Sequence, residues 1–122
     1  MKDTSELQKT YLESIVVDKG GYPYFINSIS DGNPPITKEL LDQIVECFTT
    51  MSDLSCDLIL APEAMAIPYA TALTLKTGIP FQIIRKRGHG IPGEIVFDQS
   101  TGYSKSKMYL AGVTEGTKVI LI

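Results

Sequence analysis

Three short apolar runs, separated by one helical segment and by polar loops, place the tightest limit on the fold of this chain. Leu58–Leu60 and Phe81–Ile84 flank residues 68–77, which have the composition of a helix, and Lys118–Ile122 forms a third run. Runs of this length, bounded by turn residues, are typical of strands that are buried on both faces. The order strand, helix, strand predicts an α/β fold with a mainly parallel sheet and flanking helices.

Turn and capping residues predict where other elements begin and end. Pro68 should open the helix over residues 68–77, and Gly78 should follow its last turn. Thr37 is the predicted N-cap of a second helix, which runs to about Met51. A helical pattern over 5–14 is followed by a break at Gly20 and Gly21 and by a strand-like segment, Tyr24–Ile26. Two further strand-like segments, Ile95–Phe97 and Met108–Leu110, predict an antiparallel flap.

Composition limits the class of protein. The 122 residues are 43% hydrophobic and 20% charged, which suffices for a single domain over residues 1–122 with a buried core. A formal net charge of −3 argues against a general role on nucleic acid or on a membrane surface. No apolar core of a secretory signal is visible, and Cys47 and Cys56 have no paired Cys or His motif nearby. We therefore expect a reduced, cytoplasmic setting without a zinc site or a disulfide.

Two loops follow strands at the edge of the sheet where ligands of such folds bind. The first, Ala61–Pro68, leads from a strand into a helix, whose N-terminal N–H groups favour an anion. The small residues Ala64 and Ala66 let a ligand approach the backbone. The same segment also fits an ordinary strand-to-helix connection that binds nothing.

The second loop, Arg85–Gly93, concentrates positive charge in an acidic chain. Arg85, Lys86, Arg87 and the only histidine, His89, lie within five residues of one another. Clustered cations flanked by glycines suit a phosphate or pyrophosphate ligand. A solvated basic turn and a nucleic-acid patch are the competing interpretations, and the second is disfavoured by the overall acidity and the lack of interleaved aromatic residues. His89 either helps to bind phosphate or is simply exposed.

Other catalytic patterns are not recognisable in the sequence. There is no Ser-His-Asp order, no pair of catalytic carboxylates and no spacing of metal ligands. Tyr103 lies in Thr101–Lys105, a flexible tip between the flap strands. It is either a residue that folds over a ligand or a surface residue.

Several motifs in register resemble a known family. Ile83–Gly88 with Ile91–Gly93 resembles the loop of adenine phosphoribosyltransferases, and Glu63–Pro68 resembles their pyrophosphate-binding turn. The resemblance to archaeal hypoxanthine phosphoribosyltransferases is closer and covers nearly the whole chain from about Gly20 onward. It adds the segments Tyr24–Asn27 with Ser30–Gly32, the Glu-Ala-Met turn at 63–65, Thr101–Lys105, and Glu115 with Gly116.

The resemblance implies a fold and a reaction. The fold is of the type I phosphoribosyltransferase kind, a Rossmann-like sheet with an N-terminal hood segment over residues 1–36 and a flexible β flap. The reaction transfers phosphoribosyl from phosphoribosyl pyrophosphate to hypoxanthine, or to guanine, and yields the nucleoside monophosphate and pyrophosphate. Mg²⁺ would accompany the phosphoribosyl pyrophosphate, with no protein ligand identified in this chain. A homodimer is expected by analogy with the family.

Roles for individual residues follow from the same resemblance. Lys86, with the backbone N–H groups of Met65 and Ala66, would hold pyrophosphate. Tyr103 would ride on the flap that closes over the site, and we assign Lys86 and Tyr103 as the catalytic residues. Phe25 or Ile26, on the hood, would pack against the base. The full set of substrate-binding residues is Glu63, Ala64, Met65, Ala66, Arg85, Lys86, Arg87, His89, Phe25, Ile26, Ser104 and Lys105.

Departures from the family pattern refine this prediction. Met65 stands where adenine-type enzymes carry an arginine, which favours an oxopurine base. Ala66 replaces a common glycine, and Gly102 replaces a flap carboxylate. The family's two acidic residues and its Thr- and Gly-rich phosphate loop follow a strand like Lys118–Ile122 and are not in this sequence. We expect a truncated chain with half of the phosphoribosyl pyrophosphate site. The alternatives are a non-catalytic ligand-binding or regulatory protein on this fold, and an inactive fragment.

Overall fold

The computed structural model describes residues 2–122 and divides the chain into two compact units. The first unit ends at Leu54, and the second comprises Ser55–Ile122. Among the described residues, no helix has the length and apolarity needed to cross a membrane.

The first unit combines three helices with one antiparallel hairpin. Its elements in chain order are α1 (Ser5–Leu12), β1 (Ile15–Lys19), β2 (Tyr22–Ile26), α2 (Ser28–Asp31) and α3 (Lys38–Met51). Strands β1 and β2 pair in register from Ile15↔Ile26 to Lys19↔Tyr22. The predicted break at Gly20 and Gly21 is the two-residue turn of this hairpin, since both glycines have positive φ, 62° and 89°. The sequence interpretation missed β1 and α2.

Helices α1 and α3 are joined by a buried amide. The Gln43 side chain is 8% exposed, and its Oε1 accepts hydrogen bonds from the N–H groups of Glu6 (2.9 Å) and Leu7 (3.3 Å). These are amides of the first turn of α1, which have no partner within the helix. Gln43 therefore fixes the start of α1 against the middle of α3.

The predicted N-cap of α3 is confirmed. Thr37 has extended backbone geometry, and its Oγ1 accepts a hydrogen bond from Leu40 N at 3.2 Å. We expect Thr37→Ala to lower the free energy of unfolding by about 1 kcal/mol, because one amide of the first turn loses its acceptor. Thr37→Ser keeps the hydroxyl and should retain most of that stability. Urea unfolding followed by circular dichroism measures both variants, and equal losses in the two would contradict a capping role.

The second unit is an α/β unit with an attached hairpin. Its elements are β3 (Leu58–Pro62), α4 (Ala66–Thr77), β4 (Phe81–Ile84), β5 (Ile95–Ser100), β6 (Lys105–Leu110) and β7 (Val119–Leu121). The sheet has the order β4-β3-β7, and both pairings are parallel. The predicted parallel sheet and antiparallel flap are therefore confirmed, although β5 and β6 are each longer than the predicted segments.

The central strand β3 buries both of its faces. Leu60 packs on one face in a cluster with Ile84 of β4 and with Met108 and Leu110 of the hairpin. Ile59 is fully buried and, because side chains alternate along a strand, points to the opposite face. Helix α4 packs on β3 and contributes buried side chains such as Leu73. Strand β3 is thus covered by the hairpin on one face and by α4 on the other, whereas Val119 and Leu121 of β7 are exposed.

One predicted boundary is wrong and one is confirmed. Helix α4 begins at Ala66, so Pro68 is its third residue and not its first. The amides of a first helical turn lack intrahelical acceptors, so proline is tolerated there without loss of a hydrogen bond. Gly78 follows the helix as predicted, with φ 76°, and its N–H donates to Thr74 O at 2.8 Å.

Candidate anion-binding site

The two loops singled out in the sequence meet at one edge of the sheet. Strands β3 and β4 are parallel neighbours that end in register at Pro62↔Ile84. The turn that starts at Glu63 and the loop that starts at Arg85 therefore leave the sheet side by side. Between them lies a cavity of about 560 Å³, lined by Glu63, Ala64, Arg85, Lys86, Arg87, Gly88 and His89.

Glu63 connects the two loops. Its N–H donates to Ile84 O at 2.9 Å, which extends the pairing of the strands. Its Oε1 accepts a hydrogen bond from Lys86 N at 2.6 Å, and its Oε2 lies 3.8 Å from Arg85 Nε. The Glu63 side chain is only 23% exposed, so this carboxylate is shielded from water on the protein side of the cavity. It holds the start of the basic loop in place.

The cations of the basic loop differ in their partners. Arg85 is paired with Glu63, whereas within residues 2–122 Lys86 and Arg87 form no ion pair. Both side chains are exposed and line the cavity. An anion in the cavity would therefore meet two positive charges that no carboxylate of the described chain neutralises.

The turn before α4 brings backbone donors to the same edge. Met65 is the N-cap residue and Ala66 the first residue of α4, so their amides belong to the turn in which N–H groups lack intrahelical acceptors. The Glu63–Ala64 peptide bond is cis. One turn into the helix, burial raises the pKa of the Tyr69 hydroxyl. Such a group stays uncharged at neutral pH. The first turn of α4 contains no acidic residue.

The hairpin is attached at the base of the basic loop. Arg85 N donates to Tyr109 O at 2.9 Å, and Tyr109 N donates to Arg85 O at 2.7 Å. This pair of backbone bonds links β6 to the end of β4. It places the hairpin beside the cavity.

The predicted flap residues lie at the far end of the hairpin. Thr101 Oγ1 accepts hydrogen bonds from Tyr103 N (3.4 Å) and Ser104 N (3.0 Å), which form the tip, and Tyr103 is 46% exposed. Lys105 lines a separate cavity of about 480 Å³ on the hairpin, with Asp98, Gln99, Ser100, Ser106 and Lys107. Tyr103, Ser104 and Lys105 are not among the residues that line the cavity between the two loops.

The predicted base-contacting residues belong to the first unit. Phe25 is 44% exposed, pairs with Val16 across the hairpin, and makes an edge-on contact with the Tyr11 ring at 6.4 Å between centroids. Ile26 follows it on the opposite face of the strand and is half-buried. Phe25 is the more exposed of the two residues.

Sequence reasoning missed two residues that shape the basic loop, Glu94 and Tyr109. Glu94 accepts hydrogen bonds from His89 N (2.8 Å) and Gly90 N (3.3 Å). A Cβ atom on Gly88 would lie 2.8 Å from both Glu94 Oε1 and Tyr109 Cδ1. The position of Glu94 directly after Gly93 was the only local signal. Tyr109 gave none, because its contact depends on how the hairpin docks.

Metal binding has no protein ligand set in the part of the chain that the structure describes. Within residues 2–122, no group of three or more His, Cys, Asp and Glu side chains is placed to hold an ion.

Comparisons with curated sequences identify relatives along nearly the whole chain. The hypoxanthine/guanine phosphoribosyltransferase of Methanohalophilus mahii is 49% identical over 116 residues, which are 95% of this chain and 61% of that protein. Its counterpart from Methanohalobium evestigatum is 45% identical over 122 residues, which are 100% of this chain and 63% of that protein. The chain thus spans about three-fifths of the length of the curated relatives it matches. No protein-family model matches it.

Comparisons with solved structures establish the fold. The adenine phosphoribosyltransferase of Thermoanaerobacter pseudethanolicus superposes with a TM-score of 0.69 at 18% identity, over 94% of this chain and 68% of that one. The Trypanosoma brucei enzyme, solved in complex with AMP, pyrophosphate and ribose-5-phosphate, gives a TM-score of 0.70 at 17% identity, over 99% of this chain and 55% of that one. The predicted type I phosphoribosyltransferase fold is confirmed.

Proposed function

We propose that the chain acts in purine salvage as a purine phosphoribosyltransferase, which its similarity to archaeal hypoxanthine/guanine phosphoribosyltransferases and its fold support. It would transfer phosphoribosyl from phosphoribosyl pyrophosphate to hypoxanthine or guanine, the two bases in the names of its relatives. One observation carries the proposal. A cavity lined by Arg85, Lys86 and Arg87 lies at the carboxyl ends of two adjacent parallel strands, where ligands of such sheets bind.

The charge of the leaving group explains why cations are needed. A purine nitrogen attacks the anomeric carbon, a bond from nitrogen to that carbon forms, and the bond from that carbon to the pyrophosphate oxygen breaks. Negative charge develops on pyrophosphate as it leaves, and preorganised donors stabilise this charge more strongly than water does. Lys86 and Arg87 would supply positive charge, and the amides of Met65 and Ala66 would supply neutral donors.

The hairpin would exclude water from the reacting centre. An electron-deficient ribose carbon reacts readily with water, so closure over the substrate favours transfer over hydrolysis. Tyr103, Ser104 and Lys105 form the exposed tip that would fold down on closure. Phe25 supplies an exposed aromatic ring of the kind that packs against a purine.

Magnesium would enter with the substrate. The ion neutralises phosphate charge when it is bound to phosphoribosyl pyrophosphate, and the phosphate oxygens are ligands that it prefers. Residues 2–122 offer no cluster of side chains that would hold it, so no step is assigned to a protein-bound ion. We further propose that the chain is cytoplasmic and forms a homodimer. Light scattering of the purified chain would test the homodimer.

Nucleotide formation tests the proposed function directly. The purified chain is mixed with Mg²⁺, phosphoribosyl pyrophosphate and one purine base at a time, and the product is followed by chromatography. We expect inosine or guanosine monophosphate, and the base that reacts identifies the substrate. Saturable binding of pyrophosphate without product would instead favour a ligand-binding protein on the same fold. If the chain neither binds pyrophosphate nor forms a nucleotide product, the proposal is overturned for this chain.

A further inference from the structure

The shape of the basic loop depends on a side chain outside its run of cations. We propose that Glu94 is a positioning residue, which holds Arg85–Gly93 in the conformation that presents its cations to the cavity. The inference rests on the proposed pyrophosphate site, since it concerns how that site is built. Glu94 is partly buried and stands directly before β5, so it is carried by the hairpin.

The contacts of Glu94 constrain two consecutive residues of the loop. Oε2 accepts a hydrogen bond from His89 N at 2.8 Å, and Oε1 accepts one from Gly90 N at 3.3 Å. Two adjacent amides reach one carboxylate only when both N–H groups point the same way. Hydrogen bonds to an ionised acceptor are also stronger than neutral ones. The carboxylate therefore selects one backbone conformation at the end of the cationic run.

Packing at Gly88 supports the same conclusion. The Cα of Gly88 lies so close to the Glu94 carboxylate and the Tyr109 ring that an added Cβ would approach both to 2.8 Å. Tyr109 in turn holds Arg85 by two backbone hydrogen bonds. The hairpin thus holds the loop at its start through Tyr109 and at its middle through Glu94, and Lys86 and Arg87 lie between these two contacts.

Charge alone predicts the opposite effect from positioning. A carboxylate that contacts the basic loop lowers the positive potential in the cavity, so its removal should strengthen the binding of an anion if only charge matters. If Glu94 positions the loop, its removal should weaken binding despite the gain in positive charge. The sign of the change therefore separates the two roles.

The experiment compares Glu94→Gln with Glu115→Gln by calorimetric titration of the full chain with magnesium pyrophosphate. Both substitutions remove one negative charge, and Glu115 is exposed in a turn of the same unit. We expect Glu94→Gln to weaken binding about tenfold, the equivalent of one lost charge-assisted hydrogen bond. Glu115→Gln should bind like the unchanged protein. Glu94→Asp keeps both acceptor oxygens and should recover part of the affinity.

A second measurement keeps the inference separate from the proposed function. Hydrogen exchange of the His89 and Gly90 amides, followed by nuclear magnetic resonance, should accelerate in Glu94→Gln and stay unchanged in Glu115→Gln. Tighter or unaltered binding in Glu94→Gln, or unaltered exchange, would overturn the positioning role. If the unchanged chain does not bind magnesium pyrophosphate, the proposed site is wrong, and the exchange rates alone then decide whether Glu94 holds the loop.

Discussion

Replacing both Lys86 and Arg87 by alanine should weaken the binding of magnesium pyrophosphate about 100-fold. Each charge-assisted hydrogen bond contributes about 1.5–3 kcal/mol, and a loss of about 3 kcal/mol for the pair corresponds to that factor. These two side chains are chosen because Arg85 is already paired with Glu63. Calorimetric titration at fixed ionic strength gives the affinity.

The matched control is the double substitution Lys76→Ala and Lys118→Ala. Like the test variant, it removes two positive charges from the second unit. Lys76 lies in the last turn of α4 and Lys118 directly before β7, so both are at the edge of the sheet opposite the cavity. Salt screens charges over about 10 Å at 0.1 M, so we expect a change of about twofold at most. Equal losses in the two variants would mean that only the overall charge matters.

Leu73→Ala should cause the largest loss of stability among single substitutions considered. Leu73 is fully buried where α4 packs on β3, and truncation there leaves a cavity as well as losing transfer free energy. Leucine-to-alanine changes of this kind cost about 2–5 kcal/mol. A domain is stable by only about 5–15 kcal/mol, so a large fraction of the total would be lost. Urea unfolding followed by circular dichroism measures the change.

The same helix provides the control for this prediction. Leu75 is 84% exposed, so Leu75→Ala makes an identical chemical change outside the core. We expect it to alter the free energy of unfolding by about 0.5 kcal/mol or less. If Leu73→Ala cannot be purified, Leu73→Val creates a smaller cavity and should still be less stable than Leu75→Ala. Similar values for the buried and exposed positions would contradict the packing of α4.

The sheet and its two loops were predictable because their signals are local. Leu58–Leu60 is apolar and bounded by a proline, and the cations of the basic loop are neighbours in sequence. Strand β1 was not predicted, because its apolar run, Ile15–Val17, is short and directly follows the helical pattern over 5–14. Gly20 and Gly21 are nevertheless a hairpin signal. The second element missed in this region, α2, has only four residues.

The contacts that hold the basic loop in place were not predictable from local patterns. Glu63 and Lys86 are 23 positions apart, and their hydrogen bond exists because β3 and β4 end in register. Tyr109 reaches Gly88 only because the hairpin docks on β4. A sequence pattern identifies which loops leave a sheet edge, but it does not identify the side chains from distant segments that hold those loops in one conformation.

The backbone pairing of Arg85 with Tyr109 also couples the hairpin to the first cation of the basic loop. Its inner end is fixed by that pairing and by the burial of Met108 and Leu110, whereas its outer end, from Thr101 to Lys105, is exposed. A swing of the tip therefore pivots about a residue that shares hydrogen bonds with the first cation of the loop. Lengthening or shortening the tip would change how far the hairpin extends from the sheet and would leave the pairing of Arg85 with Tyr109 unchanged.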